Sequence, residues 1–196
     1  METTLLIAIG AGVATALVYL HSRYLGFLAQ RPEDYADLGP AFDLRTHLNG
    51  PIACEGMIYG PTGRVSSRFV ADFDVRWEAN TAIMTERFRY DSGATQNREW
   101  RLTLADNGTI QARADDVVGV GTGQQSGPVV QLDYKLRLPQ DSGGHVLSVN
   151  DWMYLTENGV IMNRSQFRKF GFKVAELVAT MRPVSAEVET AEREAA

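Results

Sequence analysis

The sequence predicts a mainly β protein, an up-and-down antiparallel barrel preceded by one N-terminal transmembrane helix. Eight or nine strand-like segments follow one another from Pro51 to Met181, and Gly, Asn or Asp turns join almost all of them. An uncharged stretch from Thr3 to Ser22 precedes them. Many short strands with one apolar face each indicate a sandwich or a barrel. Nearest-neighbour hairpins favour the barrel, because closing a sheet removes its exposed edges.

The clearest strand runs from Val65 to Trp77 and alternates strictly between apolar and polar side chains. Phe69, Phe73 and Trp77 share one face, a pattern typical of a strand with one buried and one wet face. The other strand-like segments are 52–59, 82–90, 95–104, 109–114, 129–138, 145–155 and 160–167. A last segment, 173–181, fits either a closing strand or a short helix.

The chain divides into four predicted parts. These are a membrane anchor helix over 1–23, a linker and lead-in over 24–50, the barrel domain over 51–182 and a disordered acidic tail over 183–196. Within the lead-in, Phe42 to Leu48 is either a short helix or extended. The tail consists mainly of Ala, Glu, Val and Thr without a packing pattern, which is typical of a segment that buries no apolar surface.

The apolar N-terminal stretch is long enough to cross a bilayer, because about 20 residues at ~1.5 Å each span a ~30 Å hydrocarbon core. A signal peptide normally begins with basic residues, whereas the only early charge here is Glu2. A lipoprotein signal needs a cysteine just after the apolar run, and this run has none. We therefore predict an uncleaved single-pass anchor in the cell membrane. Arg23 and Arg31 follow it, and the positive-inside rule then favours a cytoplasmic barrel.

Composition and motifs argue against several classes of function. The net charge is -5 and the pI about 5.2, so no nucleic-acid partner is expected. Cys54 is the only cysteine, and the three histidines lie in different segments without ligand spacing, so no metal is predicted. The glycine-rich stretch from Gly119 to Gly123 lacks the Lys-Ser/Thr ending of a P-loop and fits a strand at a barrel corner better. No nucleophile elbow occurs, so we assign no cofactor and no catalytic residue.

An inward-pointing ion pair is predicted between the third and fourth strand-like segments. Glu86 shares a face with apolar side chains of one segment, and Arg98 shares a face with Trp100 on the next. The turn near Ser92 places Glu86 opposite or diagonal to Arg98, within about 5–8 Å. The pair is either structural or part of a site for a polar head group. Tyr134, on the apolar face of segment 129–138, is a further candidate to contact a ligand.

The Asn158-Gly159 dipeptide predicts a two-residue hairpin that pairs Tyr154 with Asn163 and Trp152 with Ser165. Two interior sets are then open. One consists of Trp152, Tyr154, Asn163 and Ser165, and it resembles a ligand wall because aromatic rings stand beside a few hydrogen-bonding groups. The other, a conventional core, consists of Asp151, Met153, Leu155 and Arg164. The residues predicted to contact a ligand are Glu86, Arg98, Trp100, Tyr134, Trp152, Tyr154 and Asn163.

Asp115 and Asp116 form a carboxylate pair next to Arg113. Adjacent residues of a strand point to opposite faces, so the two cannot both serve one acid–base site unless a bulge intervenes. We expect an ion pair in a bulge or loop, with catalysis as the alternative.

Three segments together resemble the bacterial family of unknown function DUF3833. They are Arg113-Ala114-Asp115-Asp116-Val117-Val118-Gly119, Asp151-Trp152-Met153-Tyr154-Leu155 and Asn163-Arg164-Ser165-Gln166-Phe167-Arg168-Lys169-Phe170-Gly171. Gly50-Pro51, Glu55-Gly56 and Arg68-Phe69 fit the opening strands of that family. The resemblance covers roughly 42–182. It implies a lipocalin-like barrel whose biochemical role is unassigned. Many members look like lipoproteins, which favours a periplasmic barrel, but this chain lacks the lipobox cysteine, so its anchor is of another type.

Three functions remain in competition. The leading one is a membrane-anchored lipocalin-like barrel that binds a lipid or other apolar small molecule, because barrels of about eight strands can hold one small ligand. A second is an accessory or assembly subunit of a membrane complex, with a protein partner and a filled barrel. A third is an acid–base enzyme that acts on a lipid-like substrate through Glu86, Asp116 or Tyr134. A cavity and the pKa of Glu86 distinguish these alternatives.

Overall fold

The computed structural model describes residues 2–184, without the side chains of residues 22, 23 and 141. The predicted acidic tail, 183–196, therefore lies almost wholly outside the described residues. An N-terminal helix, α1, spans Glu2–Tyr24, and a one-turn helix, α2, spans Leu44–His47. Short 3₁₀ turns cover Phe27–Ala29, Pro32–Tyr35 and Gln140–Ser142. The strands are β1 Gly50–Tyr59, β2 Val65–Glu78, β3 Thr81–Tyr90, β4 Thr95–Leu104, β5 Thr109–Arg113, β6 Gly121–Ser126, β7 Val129–Arg137, β8 Val146–Leu155, β9 Ile161–Lys169 and β10 Phe172–Pro183.

The ten strands form one closed antiparallel barrel in which each strand pairs with its neighbours in sequence. β1 and β10 close the sheet, in a register that runs from Ile52 opposite Pro183 to Tyr59 opposite Glu176. The last segment is therefore a strand rather than a helix. The predicted mainly β barrel is confirmed, with more strands than the eight or nine expected. The glycine-rich stretch contributes the additional strand, β6.

One end of the barrel, hereafter the closed end, is plugged by α2 and the residues beside it. Phe42, Leu44 and Leu48 are almost fully buried there. The indole Nε1 of Trp77 donates to the Leu48 carbonyl at 2.9 Å, and the amide of Phe42 donates to the Gly127 carbonyl at 2.8 Å. These contacts fix the lead-in across the barrel end, where its apolar side chains extend the core.

The opposite end, hereafter the mouth, carries the turns 60–64, 91–94 and 170–171 and the loops 114–120 and 138–145. The loop 138–145 contains a 3₁₀ turn, and Leu138, Pro139 and His145 of this loop line the interior of the barrel.

The β8–β9 hairpin differs from the predicted one by one residue. The amide of Thr156 donates to the Val160 carbonyl, and Gly159 adopts φ 79°, so the loop has three residues rather than two. A glycine in the left-handed region ends such three-residue loops without steric cost. Trp152 consequently lies opposite Arg164 instead of Ser165. Because side chains alternate with period two, this one-residue shift reverses which residues of β9 share a face with those of β8.

The segment between α1 and α2 packs on the outer face of the barrel. The Tyr35 ring lies 5.7 Å from the Trp152 ring and 6.0 Å from the Tyr154 ring, and the Tyr154 hydroxyl donates to Gln30 Oε1 at 2.9 Å. The Arg164 guanidinium stacks 4.7 Å from the Phe27 ring. The predicted linker therefore covers the two aromatic rings of β8 and contacts Arg164 of β9.

Candidate functional site

A cavity of about 750 Å³ occupies the barrel interior. Its lining reaches from Leu44 and Leu48 at the closed end to Leu138 and His145 at the mouth. Apolar side chains provide most of the wall, among them Phe69, Phe73, Met84, Phe88, Leu132 and Met153. This volume lies within the range of about 300–1,000 Å³ that is typical of small-molecule sites. The interior is therefore not filled by the protein's own side chains.

The polar centre of the cavity is the ion pair between β3 and β4. Glu86 lies directly opposite Arg98 in the strand register, and Arg98 Nη1 is 4.0 Å from Glu86 Oε2. Arg98 also stacks over Trp100 at 4.1 Å from the ring centroid, and Trp100 meets the Tyr134 ring edge-on at 5.2 Å. All four residues line the cavity, so the inward geometry predicted for them from alternation is found in the structure.

Asp116 completes this cluster from the loop between β5 and β6. Its carboxylate accepts a bond from Arg98 Nε, with Nε 2.9 Å from Oδ2. The expected loop ion pair therefore exists, but the partner is Arg98, which is 18 residues away in sequence. Alternation could not indicate this contact because Asp116 lies outside a strand.

Two polar atoms of the cluster have no hydrogen-bond partner among the described residues. They are Glu86 Oε2 and Arg98 Nη2, and both are buried. A buried polar atom without a partner costs about 1–3 kcal/mol, so such atoms in native proteins usually meet a ligand or water. The arrangement leaves one guanidinium donor and one carboxyl oxygen able to bind a polar group inside an apolar cavity.

A second polar group lies on β8 and β9, where Asp151 Oδ1 accepts from Asn163 Nδ2 at 2.6 Å and from Ser165 Oγ at 2.7 Å. All three residues line the cavity. Burial raises the pKa of Asp151, and these two hydrogen bonds oppose the rise. Asn163 and Ser165 from one proposed interior set and Asp151 from the other thus lie together inside the barrel, and this contact was not predicted. A three-residue reading of the Asn158-Gly159 turn would have indicated it.

The prediction that Trp152 and Tyr154 form a wall of the cavity is wrong. Both face outward, and Trp152 is only 1% exposed because Tyr35 and the neighbouring linker cover it. The interior combines Asp151 and Met153 from one proposed set with Asn163 from the other. The one-residue change in hairpin register causes this mixture.

Burial raises the pKa of Glu86 to about 7, and the nearby Arg98 guanidinium only partly opposes this rise. A carboxyl group whose pKa is raised by folding destabilises the folded state once it ionises. The group is therefore a neutral acid at mildly acidic pH and a carboxylate at alkaline pH. Such a group can donate or accept a hydrogen bond, according to pH.

We expect the stability difference between wild type and Glu86→Gln to depend on pH. The folded-state pKa lies above that of an unfolded glutamate, so the contribution of Glu86 is most favourable below about pH 4.5 and is lost as pH rises through 7. Between pH 5 and pH 7 the wild type should lose about 2 kcal/mol relative to Glu86→Gln. Urea unfolding in detergent at several pH values measures this difference. Parallel pH profiles for the two proteins would contradict the assignment.

Among residues 2–184, no group of three His, Cys, Asp or Glu side chains has the arrangement of a metal site. Cys54 is buried in the cavity wall, and burial raises the pKa of its thiol to about 12. The thiolate, which is the nucleophilic form, is therefore scarce at neutral pH.

The family model for the protein of unknown function DUF3833 matches residues 22–183, which is most of the chain. The chain belongs to this family. DUF3833 membership confirms the resemblance noted in the sequence and covers every strand of the barrel. No curated protein matches the sequence.

Two solved structures show the same fold for this DUF3833 protein. Rv2717c from M. tuberculosis is 16% identical with a TM-score of 0.54, and the match covers 76% of this chain and 100% of that one. The S-type phycobiliprotein lyase CPES from Guillardia theta is 11% identical with a TM-score of 0.52, and the match covers 71% of this chain and 90% of that one. At these identities the likeness establishes a lipocalin-like barrel and nothing about activity.

Proposed function

We propose that this DUF3833 protein is a membrane-anchored barrel that binds an amphipathic small molecule, most simply an acyl lipid or fatty acid. The observation that carries the proposal is the pair of buried atoms without a hydrogen-bond partner among the described residues, Glu86 Oε2 and Arg98 Nη2, inside a largely apolar cavity of about 750 Å³. An acyl chain suits the apolar wall, because its burial removes apolar surface from water and leaves no polar group without a hydrogen-bond partner. A carbonyl or carboxyl oxygen suits Arg98 Nη2.

The polar cluster limits which head groups fit. Arg98 is already shared by Asp116 and Glu86, so a bound group does not meet an isolated positive charge. A neutral Glu86 can donate to an oxygen of the ligand, and an ionised Glu86 can accept from a hydroxyl. We therefore favour a carboxyl, ester or hydroxyl group over a multiply charged one.

The anchor in this proposal is α1. Its stretch Glu2–His21 has the length and composition of a membrane span, and signal sequences share those properties. An uncleaved span would hold the barrel beside the bilayer that contains acyl lipids. The side of the membrane does not alter this argument.

Extraction of the full-length protein, purified from its native membrane in detergent, tests the proposed ligand. We expect organic solvent to release one lipid or fatty acid per chain, identified by mass spectrometry. Arg98→Lys should reduce its occupancy at least about tenfold, because lysine keeps the charge but lacks the second guanidinium donor. Arg101→Lys on the same strand is the matched control, since Arg101 is exposed and pairs with Glu99 at 2.7 Å.

Equal ligand occupancy in Arg98→Lys and Arg101→Lys would contradict the head-group assignment. A wild-type protein that releases no lipid above the level of the surrounding detergent micelle would contradict binding itself.

A second candidate function is acid–base catalysis by Glu86, supported by its pKa of about 7. A general acid or base works best when its pKa lies near the working pH. If the protein is an enzyme, wild type should retain product while Glu86→Gln retains unreacted substrate, so the two extracts would differ in chemical identity. Identical extracts would favour binding alone. The cavity does not favour the accessory-subunit alternative, which expects a filled barrel.

A further inference from the structure

The turn between β9 and β10 exposes two aromatic rings at the mouth. Phe170 is 89% exposed and Phe172 is 77% exposed, more than any other exposed large hydrophobic residue of the described chain, those of α1 included. Phe170 also adopts φ 52°, a backbone conformation that bulky residues rarely take. A phenylalanine at such a position gains nothing from packing within the barrel. Exposed aromatic clusters of this kind mark interaction sites.

Other exposed apolar side chains surround the same end of the barrel. They lie at the start of β2, in the loop between β5 and β6 and at the start of β8, and they are Val65, Val118, Val120 and Val146. We call these residues together with Phe170 and Phe172 the mouth rim. The rim residues stand at several positions around the mouth, so a surface that covers them also covers the opening of the cavity.

Basic side chains flank the two rings. Lys169 and Lys173 stand on either side of Phe170-Gly171-Phe172, and Lys169 also lines the cavity. Arg168 Nη1 donates to the Gly171 carbonyl at 3.0 Å, which braces the turn. Aromatic rings beside lysine are typical of segments at the membrane interface, where the rings enter the acyl boundary and the amines stay at phosphate level. Such a lysine near an anionic surface strengthens binding to that surface.

The acidic side chains at the mouth do not neutralise the positive charge of the β9–β10 turn. Asp116 is neutralised by Arg98, and Asp91 is paired with Arg68 at 3.0 Å. Asp115 lies in the β5–β6 loop, four strand positions around the barrel from the β9–β10 turn. Glu176 is the carboxylate beside the turn, and it is paired with both Lys173 and Arg164, each at 2.5 Å. Two cations thus share this one carboxylate, and Lys169 adds a further positive charge, so the aromatic turn carries a local positive charge.

The N-terminal segment runs from the closed end part of the way towards the mouth. From Phe42 at the closed end, the chain runs back along the outer face to Tyr35 at Trp152 and to Phe27 at Arg164. β9 leads from the closed end to the mouth, so Phe27 lies part of the way along it. From Arg164 to Lys169 the remaining distance is about 17 Å at ~3.3 Å per residue. α1 ends three residues before Phe27, at Tyr24.

We propose that the mouth docks on the surface of an anionic lipid bilayer. Phe170 and Phe172 insert among the acyl chains, and Lys169 contacts the head-group phosphates, while Lys173 remains paired with Glu176. The valines of the rim then lie against the interface, and the cavity opens into the bilayer rather than into water. This docking stands on the rim alone and holds whether or not the cavity binds the ligand proposed above.

The test places a spin label on the rim of the full-length protein in lipid nanodiscs. Phe170→Cys carries the label, and Glu157→Cys, in an exposed turn at the closed end, is the matched control. The native Cys54 is buried, with a thiol pKa of about 12, so wild type serves as the unlabelled reference. Nanodiscs are made of phosphatidylcholine alone or of equal parts phosphatidylcholine and phosphatidylglycerol.

We expect the label at 170 to be more accessible to oxygen than to a water-soluble nickel complex, and the label at 157 to show the reverse. The difference at 170 should increase with phosphatidylglycerol and shrink in the Lys169→Glu background. Equal nickel accessibility at 170 and 157 would overturn the proposal. A label at 170 that is shielded from both reagents and couples to a label on a second copy would also overturn it, since a protein would then cover the mouth.

Discussion

Arg98→Ala is expected to lower the free energy of unfolding by about 3–5 kcal/mol at pH 8, because it leaves carboxylates inside the barrel without their cation. Arg98 lies 4.0 Å from Glu86 and 2.9 Å from Asp116, and both carboxyl groups line the cavity. The stacking of the guanidinium on Trp100 is lost as well. Urea unfolding of the full-length protein in detergent measures the change.

The deficit of Arg98→Ala should shrink at pH 5. Without the guanidinium, the pKa of Glu86 rises further, so the carboxyl group is neutral there and no longer needs a cation. Arg101→Ala is the control and should change stability by less than about 0.5 kcal/mol, because its ion pair with Glu99 is exposed. Equal effects of the two substitutions would show that the cluster around Arg98 does not stabilise the barrel.

Gly123→Ala is expected to destabilise the barrel by about 3 kcal/mol or more, because β6 and β7 leave no space for a methyl group at this position. A Cβ on Gly123 would lie 2.0 Å from the Gln131 carbonyl oxygen and 2.5 Å from Leu132 Cδ2. The first contact is to backbone, so relief requires the two strands to separate. Loss of their hydrogen bonds would open the barrel beside the cavity wall.

Gly60→Ala is the control for Gly123→Ala. Its Cβ would meet only the Arg64 carbonyl oxygen, at an ordinary contact distance of 3.8 Å, so we expect a change within about 0.5 kcal/mol. Denaturation midpoints in the same detergent compare the two variants. A Gly123→Ala protein as stable as Gly60→Ala would mean that β6 and β7 do not approach each other as the structure describes.

Local patterns predicted those parts of the site that lie on regular strands joined by short turns. Glu86 and Arg98 lie in alternating segments on either side of a tight turn. The alternation of side chains along each strand was therefore enough to place both inside the barrel. The aromatic side chains of β8 show the limit of such reasoning. The β8–β9 loop has three residues instead of two, so Trp152 lies opposite Arg164 rather than Ser165. Both faces of β8 carry apolar side chains, so alternation could not show which face points into the barrel.

The amino-acid sequence by itself determined the membrane-length helix, the succession of strands and the inward position of Glu86 and Arg98. These features depend on period, length and turn chemistry within short segments. Only the tertiary structure decided the contact of Asp116 with Arg98, the cover of Tyr35 on Trp152 and the volume left inside the barrel. Each of these depends on residues far apart in sequence that meet only when the sheet closes, and no local pattern encodes how closely they pack.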